Sequence, residues 1–268
     1  MSRTLRRPPD YGGRYRDQVA VVTGASAGLG AQLCLDLVAA GATVVGLART
    51  ADRLDAVATA LGPLSVRWRG MVCDVADTHA LRAALDDVVA THGRVDLLVN
   101  NAAHDPGVRL ADITEADFRH TFDVNFFAPV AATLAVLPAM IERGSGTIVN
   151  VSSDGGRLPS PGPGAYPSSK AALSAFSEST SFRLAAKGVR MHVVYPAFMA
   201  TELGLTALRH GLRQPPRLTV RRVEVVSRAI LARAGGPSLE ISVSRLIDAA
   251  MVFRHVLPRA YHWGRKSW

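Results

Sequence analysis

The chain has 268 residues, of which 48% are hydrophobic and 20% charged, the composition of a globular protein with a sizeable core. Its formal net charge is +9, but the excess lies at the ends: residues 1–16 hold five Arg against one Asp, and residues 237–268 hold four Arg and one Lys against two acids. A nucleic-acid-binding face would need basic residues in the folded middle of the chain, so we expect no nucleic-acid partner.

The two ends of the chain differ from the stretch between them. We expect a disordered basic arm over residues 1–16, a single domain over 17–244 and an apolar, basic helical tail over 245–268. The first residues hold no apolar run typical of a signal peptide, and no stretch of 18 residues is apolar throughout, so we expect no spanning helix. Cys34 and Cys73 are expected to be buried, reduced thiols of a cytoplasmic protein.

From residue 18 onward, apolar runs alternate with helical patterns. Most runs are continuous in Val, Ile and Leu, as strands covered on both faces require; they span 18–23, 43–48, 66–73, 95–99, 146–151, 189–195 and 239–243. The helical patterns span 29–40, 51–61, 78–91, 115–142, 167–186 and 220–234. This alternation predicts an α/β protein with a doubly wound, Rossmann-type fold, in which a seven-stranded, mainly parallel sheet carries helices on both faces.

A glycine-rich turn follows the first predicted strand. The sequence TGASAGLG over residues 23–30 places Gly24, Gly28 and Gly30 between that strand and a helix. Glycines let the backbone turn sharply and approach a pyrophosphate, which the free N–H groups of a helix N-terminus can bind. A plain tight turn would also select glycine, but its position in the first βαβ unit favours a dinucleotide site.

The end of the second predicted strand, GLARTADR, bears on the choice of dinucleotide. An Asp or Glu there would bind the ribose 2′-hydroxyl of NAD, but the sequence has Ala48 and then Arg49, with Arg53 one helical turn further on. A guanidinium pairs well with a phosphate dianion. We therefore predict NADP(H) as the preferred cofactor over NAD(H); the alternative is that Arg49 is simply a solvent-exposed side chain.

A polar pair stands out in the fifth helical pattern. The sequence AYPSSKAAL over residues 165–173 places Tyr166 four residues before Lys170, so that both side chains lie on one face of the helix. A tyrosine with its ordinary pKa of about 10 is a poor acid or base at neutral pH. An adjacent ammonium favours tyrosinate, so we expect Lys170 to lower the pKa of Tyr166. Taken alone, such a spacing is also typical of a surface pair.

Several motifs, in order along the chain, resemble those of the short-chain dehydrogenase/reductase family in its single-domain branch. They are TGASAGLG, CDV at 73–75, NNAA at 100–103, Asn125, VSS at 151–153, YPSSK at 166–170 and PAFMAT at 196–201. The likeness runs from about residue 17 to the strand near 239–243, and the order makes the set specific. Ala103 and Ala197 stand where this family usually has Gly, which predicts an altered fit near the cofactor without loss of binding.

The resemblance implies an NADP(H)-dependent oxidoreductase that interconverts a carbonyl and a secondary or primary alcohol by hydride transfer. Tyr166 would be the general acid and base, and Ser153 rather than Ser152 would hydrogen-bond the substrate oxygen. Asn125 would hold a water that links Lys170 to solvent, and Lys170 would also bind the nicotinamide ribose. No metal ligands are expected.

The resemblance also implies a set of cofactor contacts around the glycine-rich turn. Asp74 and Val75 would contact the adenine, and Thr201 would hold the carboxamide side of the cofactor. Asn101 and Ala102 would line the nicotinamide-ribose side. The full set of implied cofactor-binding residues is Thr23, Gly24, Ser26, Gly28, Leu29, Gly30, Arg49, Asp74, Val75, Asn101, Ala102, Tyr166, Lys170, Pro196 and Thr201.

The sequence does not specify the substrate. Two stretches predicted to be loops, 154–164 and 202–217, flank the expected cleft, and the second suits a lipophilic molecule or simple packing equally well. His104 would face either the cleft or the solvent. The alternatives to a free carbonyl or alcohol substrate are a 3-oxoacyl thioester and, in another class, a non-catalytic NADP(H)-binding regulatory or scaffold protein. The presence of Ser153, Tyr166, Lys170 and Asn125 argues against the scaffold.

The tail over residues 245–268 combines apolar positions at helical spacing with terminal aromatic and basic residues. Such a pattern is typical of an interface. We expect it to pack in a homodimer or homotetramer, or on its own domain, and consider peripheral contact with a membrane surface as the second alternative.

Overall fold

The sheet joins seven parallel strands, as predicted. The computed structural model describes residues 11–159, 162–209 and 215–265. In chain order the strands are β1 (Val19–Thr23), β2 (Thr43–Ala48), β3 (Trp68–Val72), β4 (Leu97–Asn100), β5 (Gly146–Val151), β6 (Val189–Tyr195) and β7 (Glu240–Ser242). Their spatial order is β3-β2-β1-β4-β5-β6-β7, and every pair is parallel. The strand order therefore reverses next to β1, where ligand crevices form in such sheets.

Helices cover both faces of the sheet, which explains why β1 is buried along its whole length. The helices up to residue 142 are α1 (Gly28–Ala39), α2 (Ala51–Leu61), α3 (Thr78–His92), α4 (Glu115–Phe122) and α5 (Ala128–Glu142). The later ones are α6 (Asp154–Arg157), α7 (Ala165–Leu184), α8 (Glu202–Arg209), α9 (Val223–Arg233), α10 (Arg245–Val256) and α11 (Pro258–Arg265). One hydrophobic core lies under α1, α2 and α9, and a second lies under α3 and α5.

The predicted long helix over 115–142 is divided. A π-helical turn, Asp123–Phe127, separates α4 from α5. By length and composition this stretch could cross a membrane, although it contains no run of 18 residues that are apolar throughout, so the expected absence of a spanning helix stays a prediction. Half of its most apolar window is buried inside the protein, however, and α5 packs against α3. A core helix passes the same test, because core positions and lipid-facing positions select the same apolar side chains.

The folded part of the chain begins before residue 17. We expected disorder over residues 1–16; residues 1–10 lie outside the described residues, but residues 11–16 pack on the domain. Tyr15 is 2% exposed and its hydroxyl donates to the carbonyl of Leu231 at 2.6 Å. Arg14 donates to the carbonyl of Ala234 at 2.7 Å. The aromatic ring was overlooked because the basic residues around it dominate the composition.

Two stretches predicted as loops contain helices. α6 begins one residue after Ser153, whose hydroxyl accepts the N–H of Gly155, and α8 begins one residue after Thr201. Glycines in both stretches obscured the helical pattern. Residues 160–161 and 210–214 lie outside the described residues.

The tail forms helices, as expected, up to the end of the described chain at residue 265. Large apolar side chains remain exposed on α10, including Leu246, Val252 and Val256. What covers them stays a prediction.

Candidate active site

The glycine-rich turn leaves no room for side chains. Gly24 has a φ of +65°, which favours glycine. A Cβ on Gly30 would lie 2.1 Å from the carbonyl oxygen of Gly24 and 2.5 Å from Nδ2 of Asn101. The start of α1 is therefore packed directly onto the turn, with the backbone free to approach a ligand.

The hydroxyl of Thr23 joins this turn to the segment after β4. Its oxygen accepts the backbone N–H groups of Asn101 and Ala102, both at 3.0 Å. In return, Nδ2 of Asn101 donates to the carbonyls of Thr23 at 3.0 Å and Gly24 at 3.3 Å. Thr23 and Asn101 thus shape the site by binding each other, which their sequence separation conceals.

A cleft of about 170 Å³ opens beside the turn, at the carboxyl ends of the strands. Six of the predicted cofactor-binding residues line it: Gly24, Ser26, Arg49, Asp74, Val75 and Ala102. Four residues that the sequence did not point to as cofactor contacts also line it: Leu47, Cys73, His120 and Val124. Ala103 lines the same cleft, so its methyl group does lie where a ligand would bind.

His104 faces this cleft rather than the solvent. Its ring meets that of His120 edge to face, with centroids 4.6 Å apart. Burial, followed by the charges of His120 and Arg49, lowers the pKa of His104, although Asp105 opposes the shift. These surroundings favour the neutral form of the His104 ring.

The two arginines after β2 differ in their surroundings. Arg53 forms an exposed ion pair with Glu202 of α8, with 3.0 Å between Nη1 and Oε2. Arg49 is exposed at the cleft, and within the described part of the chain it forms none of the ion pairs. Its guanidinium therefore has its donors available for a ligand.

A second, larger cavity of about 370 Å³ lies at the opposite edge of the sheet, between Arg14 and Arg190. It contains none of the predicted site residues, because the amino ends of the strands form that edge.

Ser153 and Tyr166 meet at the carboxyl end of β5. The hydroxyl of Ser153 acts on the phenol of Tyr166 so as to lower its pKa, against the effect of burial, and it accepts the N–H of Gly155 at 3.0 Å. Ser152 points the other way: its hydroxyl donates to the carbonyl of Lys170 at 2.9 Å and contacts that of Ser174 at 2.8 Å. The geometry thus distinguishes Ser153 from its neighbour as the serine beside the phenol.

Lys170 is 1% exposed, and its ammonium donates to the carbonyl of Val151 at 2.8 Å. Its Nζ lies 5.9 Å from the centroid of the Tyr166 ring. Burial lowers the pKa of Lys170 to about 7. Burial also raises the pKa of Tyr166 to about 12, outweighing the hydrogen bond from Ser153.

Our expectation that Lys170 lowers the pKa of Tyr166 is therefore wrong. Burial raises this pKa, and Lys170 is not among the groups that act on it. A lysine stripped of water is itself driven towards its neutral form, and a neutral amine exerts no charge on a neighbouring phenol.

Asn125 lies in the π-helical turn between α4 and α5 and is fully buried. Its Nδ2 donates to the carbonyl of His104 at 2.8 Å and to the hydroxyl of Ser169 at 2.9 Å, and its Oδ1 accepts the N–H of His104 at 2.7 Å. Both amide N–H donors are thus occupied. The predicted water relay from Asn125 to Lys170 stays a prediction, and such a water would have to bind an oxygen of Asn125.

The remaining predicted cofactor contacts include Thr201, Pro196 and Leu29, which differ in how far their side chains are exposed to a ligand. A Cβ on Gly28 would lie 3.1 Å from the methyl group of Thr201, so Thr201 closes over the turn. Pro196 follows β6 and is partly buried, and the methyl group of Ala197 is accommodated in the protein at 2% exposure. Leu29 is 5% exposed within the core, so only its backbone is free to contact a ligand.

Comparison with known proteins points to the family whose motifs the sequence resembles. The family model described as short chain dehydrogenase matches residues 18–209. The chain is 29% identical, over 92% of its own length and 83% of the relative's, to dehydrogenase/reductase SDR family member 7B of Xenopus tropicalis.

Two solved structures share the fold closely. A short-chain dehydrogenase from Streptomyces avermitilis superposes with a TM-score of 0.78 at 30% identity, covering 94% of this chain and 98% of that one. A variant of actinorhodin polyketide ketoreductase, solved with NADPH, gives a TM-score of 0.77 at 26% identity, covering 85% of this chain and 96% of that one.

The shifted pKa of Lys170 predicts a pH dependence of stability. Between pH 7 and pH 9 the unfolded chain holds a proton on this lysine, whose ordinary pKa is about 10.4, whereas the folded protein largely does not. Because the unfolded state binds more protons, the free energy of unfolding rises with pH in this window, by up to about 1.4 kcal/mol per pH unit. Lys170→Met removes the titrating amine. The free energy of unfolding, measured with urea, should therefore rise less with pH in this variant than in wild type. Equal slopes in both proteins would contradict the shift.

Proposed function

This chain belongs to the short-chain dehydrogenase/reductase family, and from that premise we propose that it is an NADP(H)-dependent oxidoreductase that interconverts a small-molecule carbonyl and its alcohol. The single observation that carries the proposal is the meeting of Ser153, Tyr166 and Lys170 at the carboxyl end of β5, on the edge of the sheet where the cleft also opens. The three side chains come from two elements and converge only in the folded protein.

The groups that line the cleft suit a nicotinamide dinucleotide. The turn between β1 and α1 has no Cβ atoms at Gly24 and Gly30, and the backbone can therefore lie against a pyrophosphate. The exposed guanidinium of Arg49 suits the additional phosphate of NADP(H), and Ala48 and Arg49 stand at the end of β2, where an acidic side chain would bind a ribose 2′-hydroxyl. The likeness to a ketoreductase solved with NADPH points in the same direction. When bound, the cofactor supplies or accepts the hydride.

The protein's own groups handle the proton. With its pKa raised to about 12, Tyr166 keeps its proton at neutral pH, as a donor to a newly formed alkoxide must. Ser153 lies beside the phenol, so its hydroxyl can bind the same substrate oxygen. Lys170, with a pKa near 7, can take up or release a proton close to the phenol at physiological pH. This arrangement supplies the proton that reduction of a carbonyl requires.

A carrier-bound 3-oxoacyl thioester is the second candidate substrate. It is supported by the likeness in fold to a polyketide ketoreductase. NADPH consumption with free ketones, ketosteroids, retinals and 3-oxoacyl thioesters in parallel would separate the two substrate classes.

We further propose that the protein forms a homo-oligomer through one face of α5 and α7. Phe127, Leu134 and Ile141 are exposed at intervals of seven residues, so they share one face, and Phe182 of α7 is 75% exposed. Such a row of apolar side chains on a monomer marks an interface. Sedimentation equilibrium measures the mass directly, and a monomer at micromolar concentration would reject this proposal.

Tyr166→Phe is expected to lower kcat by at least about a thousandfold, because it removes the proton donor and leaves the ring in place. NADPH binding, followed by the change in protein fluorescence, should stay within about threefold of wild type. Ser153→Ala should lower kcat by about a hundredfold. Ser152→Ala is the comparison: it removes a hydrogen bond to the backbone of Lys170 but no hydroxyl beside the phenol, so kcat should fall far less. Normal turnover by Tyr166→Phe would refute the assignment of Tyr166 as the proton donor. A wild-type protein that binds NADPH but turns over none of the substrates would instead favour a non-catalytic cofactor-binding protein.

Arg49→Asp is expected to reverse the cofactor preference. Wild type should show a higher kcat/KM with NADPH than with NADH, and the substitution should shift the ratio by roughly a hundredfold or more, because a guanidinium–phosphate contact is replaced by repulsion. Arg53→Gln is the control: its guanidinium is already paired with Glu202, so the ratio should change little. A wild-type preference for NADH would overturn the NADP(H) proposal.

A further inference from the structure

The short helix α6 directly follows Ser153 and has little stability of its own. Its sequence is Asp-Gly-Gly-Arg, and both glycines disfavour helix. The hydroxyl of Ser153 accepts the N–H of Gly155, while its carbonyl accepts the N–H of Gly156 at 3.0 Å. The position of Ser153 therefore depends on what holds this four-residue turn.

One side of the turn rests on α7. A Cβ on Gly156 would lie 3.0 Å from the backbone N of Ala171 and 3.0 Å from the carbonyl carbon of Lys170. This close backbone contact sets the distance between the turn and the helix that carries Tyr166 and Lys170. It does not stop the turn from moving away from α7.

Arg157 holds the other side. Its side chain is 10% exposed, with Nη1 at 3.1 Å from Oε2 of Glu240 and Nη2 at 2.6 Å from Oδ1 of Asp248. Its Cζ lies 3.9 Å from the centroid of the ring of Tyr195, the last residue of β6. One guanidinium thus contacts β6, β7 and α10 at once, as its planar fork of donors allows.

The contacts continue into the C-terminal tail. Asp248 also accepts the hydroxyl of Ser242 at 2.6 Å, and Nη1 of Arg254 donates to the backbone carbonyl of Arg157. Asp248 and Arg254 both belong to α10. The tail is therefore attached to the residue that ends the Ser153 turn.

We propose that Arg157 is a positioning residue that holds Ser153 against Tyr166, with α10 as its anchor. The inference rests on the proposed function, because it assigns the C-terminal tail a part in the reaction. A displacement of about one ångström at a group that orients the substrate lowers the rate of a reaction by up to about a hundredfold. The tail thus supports the active site from outside it.

The test compares four full-length proteins: wild type, Arg157→Gln, Asp248→Asn and Arg69→Gln. Arg69→Gln is the matched control, since it removes an arginine that pairs with Asp87 at 2.8 Å on an edge of the sheet remote from Ser153. Asp248→Asn keeps the shape of the side chain, so it remains informative if Arg157→Gln folds poorly. Hydrogen exchange of residues 154–158, the Kd for NADPH, and the kcat and KM for the carbonyl consumed fastest by wild type are measured for each.

Arg157→Gln and Asp248→Asn are expected to speed amide exchange over residues 154–158 and to lower kcat per NADPH-binding site by roughly ten- to a hundredfold, with the Kd for NADPH within about twofold. The control should change none of these. A purely structural role would lower the number of binding sites and the melting temperature while leaving kcat per site intact, and that result would overturn the proposal. Unchanged exchange over residues 154–158 would overturn it as well.

Failure of the proposed function would look different. A wild-type protein that binds NADPH but reduces no carbonyl would refute the oxidoreductase proposal, while the hydrogen-exchange measurement would still decide whether Arg157 and α10 hold the turn.

Discussion

The hydrogen bond from the buried ammonium of Lys170 to the carbonyl of Val151 ties α7 to the end of β5, and the geometry of the site depends on it. The hydroxyl of Ser152 adds a second hydrogen bond between strand and helix by donating to the carbonyl of Lys170. With helix and strand joined in this way, Tyr166 lies beside Ser153 at the edge of the sheet. A lysine is a costly residue to bury, and the cost appears as a pKa shifted to about 7.

Buried or partly buried polar side chains also hold the loops around the rest of the site in place. Thr23 and Asn101 bind each other's backbone across β1 and β4, Asn125 fixes the backbone of residue 104, and Arg157 joins a glycine-rich turn to the tail. Thr23, Asn101 and Asn125 satisfy backbone atoms at loops where no strand or helix can do so, whereas Arg157 pairs with the carboxylates of Glu240 and Asp248. The loops that surround the cleft are therefore rigidly supported, as a site that must align several groups requires.

Most of the fold was predictable because local patterns are strong in a parallel α/β protein. Apolar runs, most of them continuous, marked all seven strands to within about two residues, and the motifs pointed to Ser153, Tyr166 and Lys170 as neighbours. The errors have local causes. The π-helical turn at Asn125 has no distinct sequence pattern, and glycines concealed α6. His120 was missed because a histidine in an amphipathic helix carries no mark of the cleft it faces.

The sequence by itself determined the order of strands and helices, the glycine turn with its absent Cβ atoms, and the identity of the groups that could carry a proton, because these follow from residue type and spacing. Only the tertiary structure decided their chemical state and support. Burial, not the charge of Lys170, dominates the pKa of Tyr166, and α10 reaches the Ser153 turn through Arg157. Desolvation and long-range contacts depend on atoms far apart in the chain, and no local pattern encodes them.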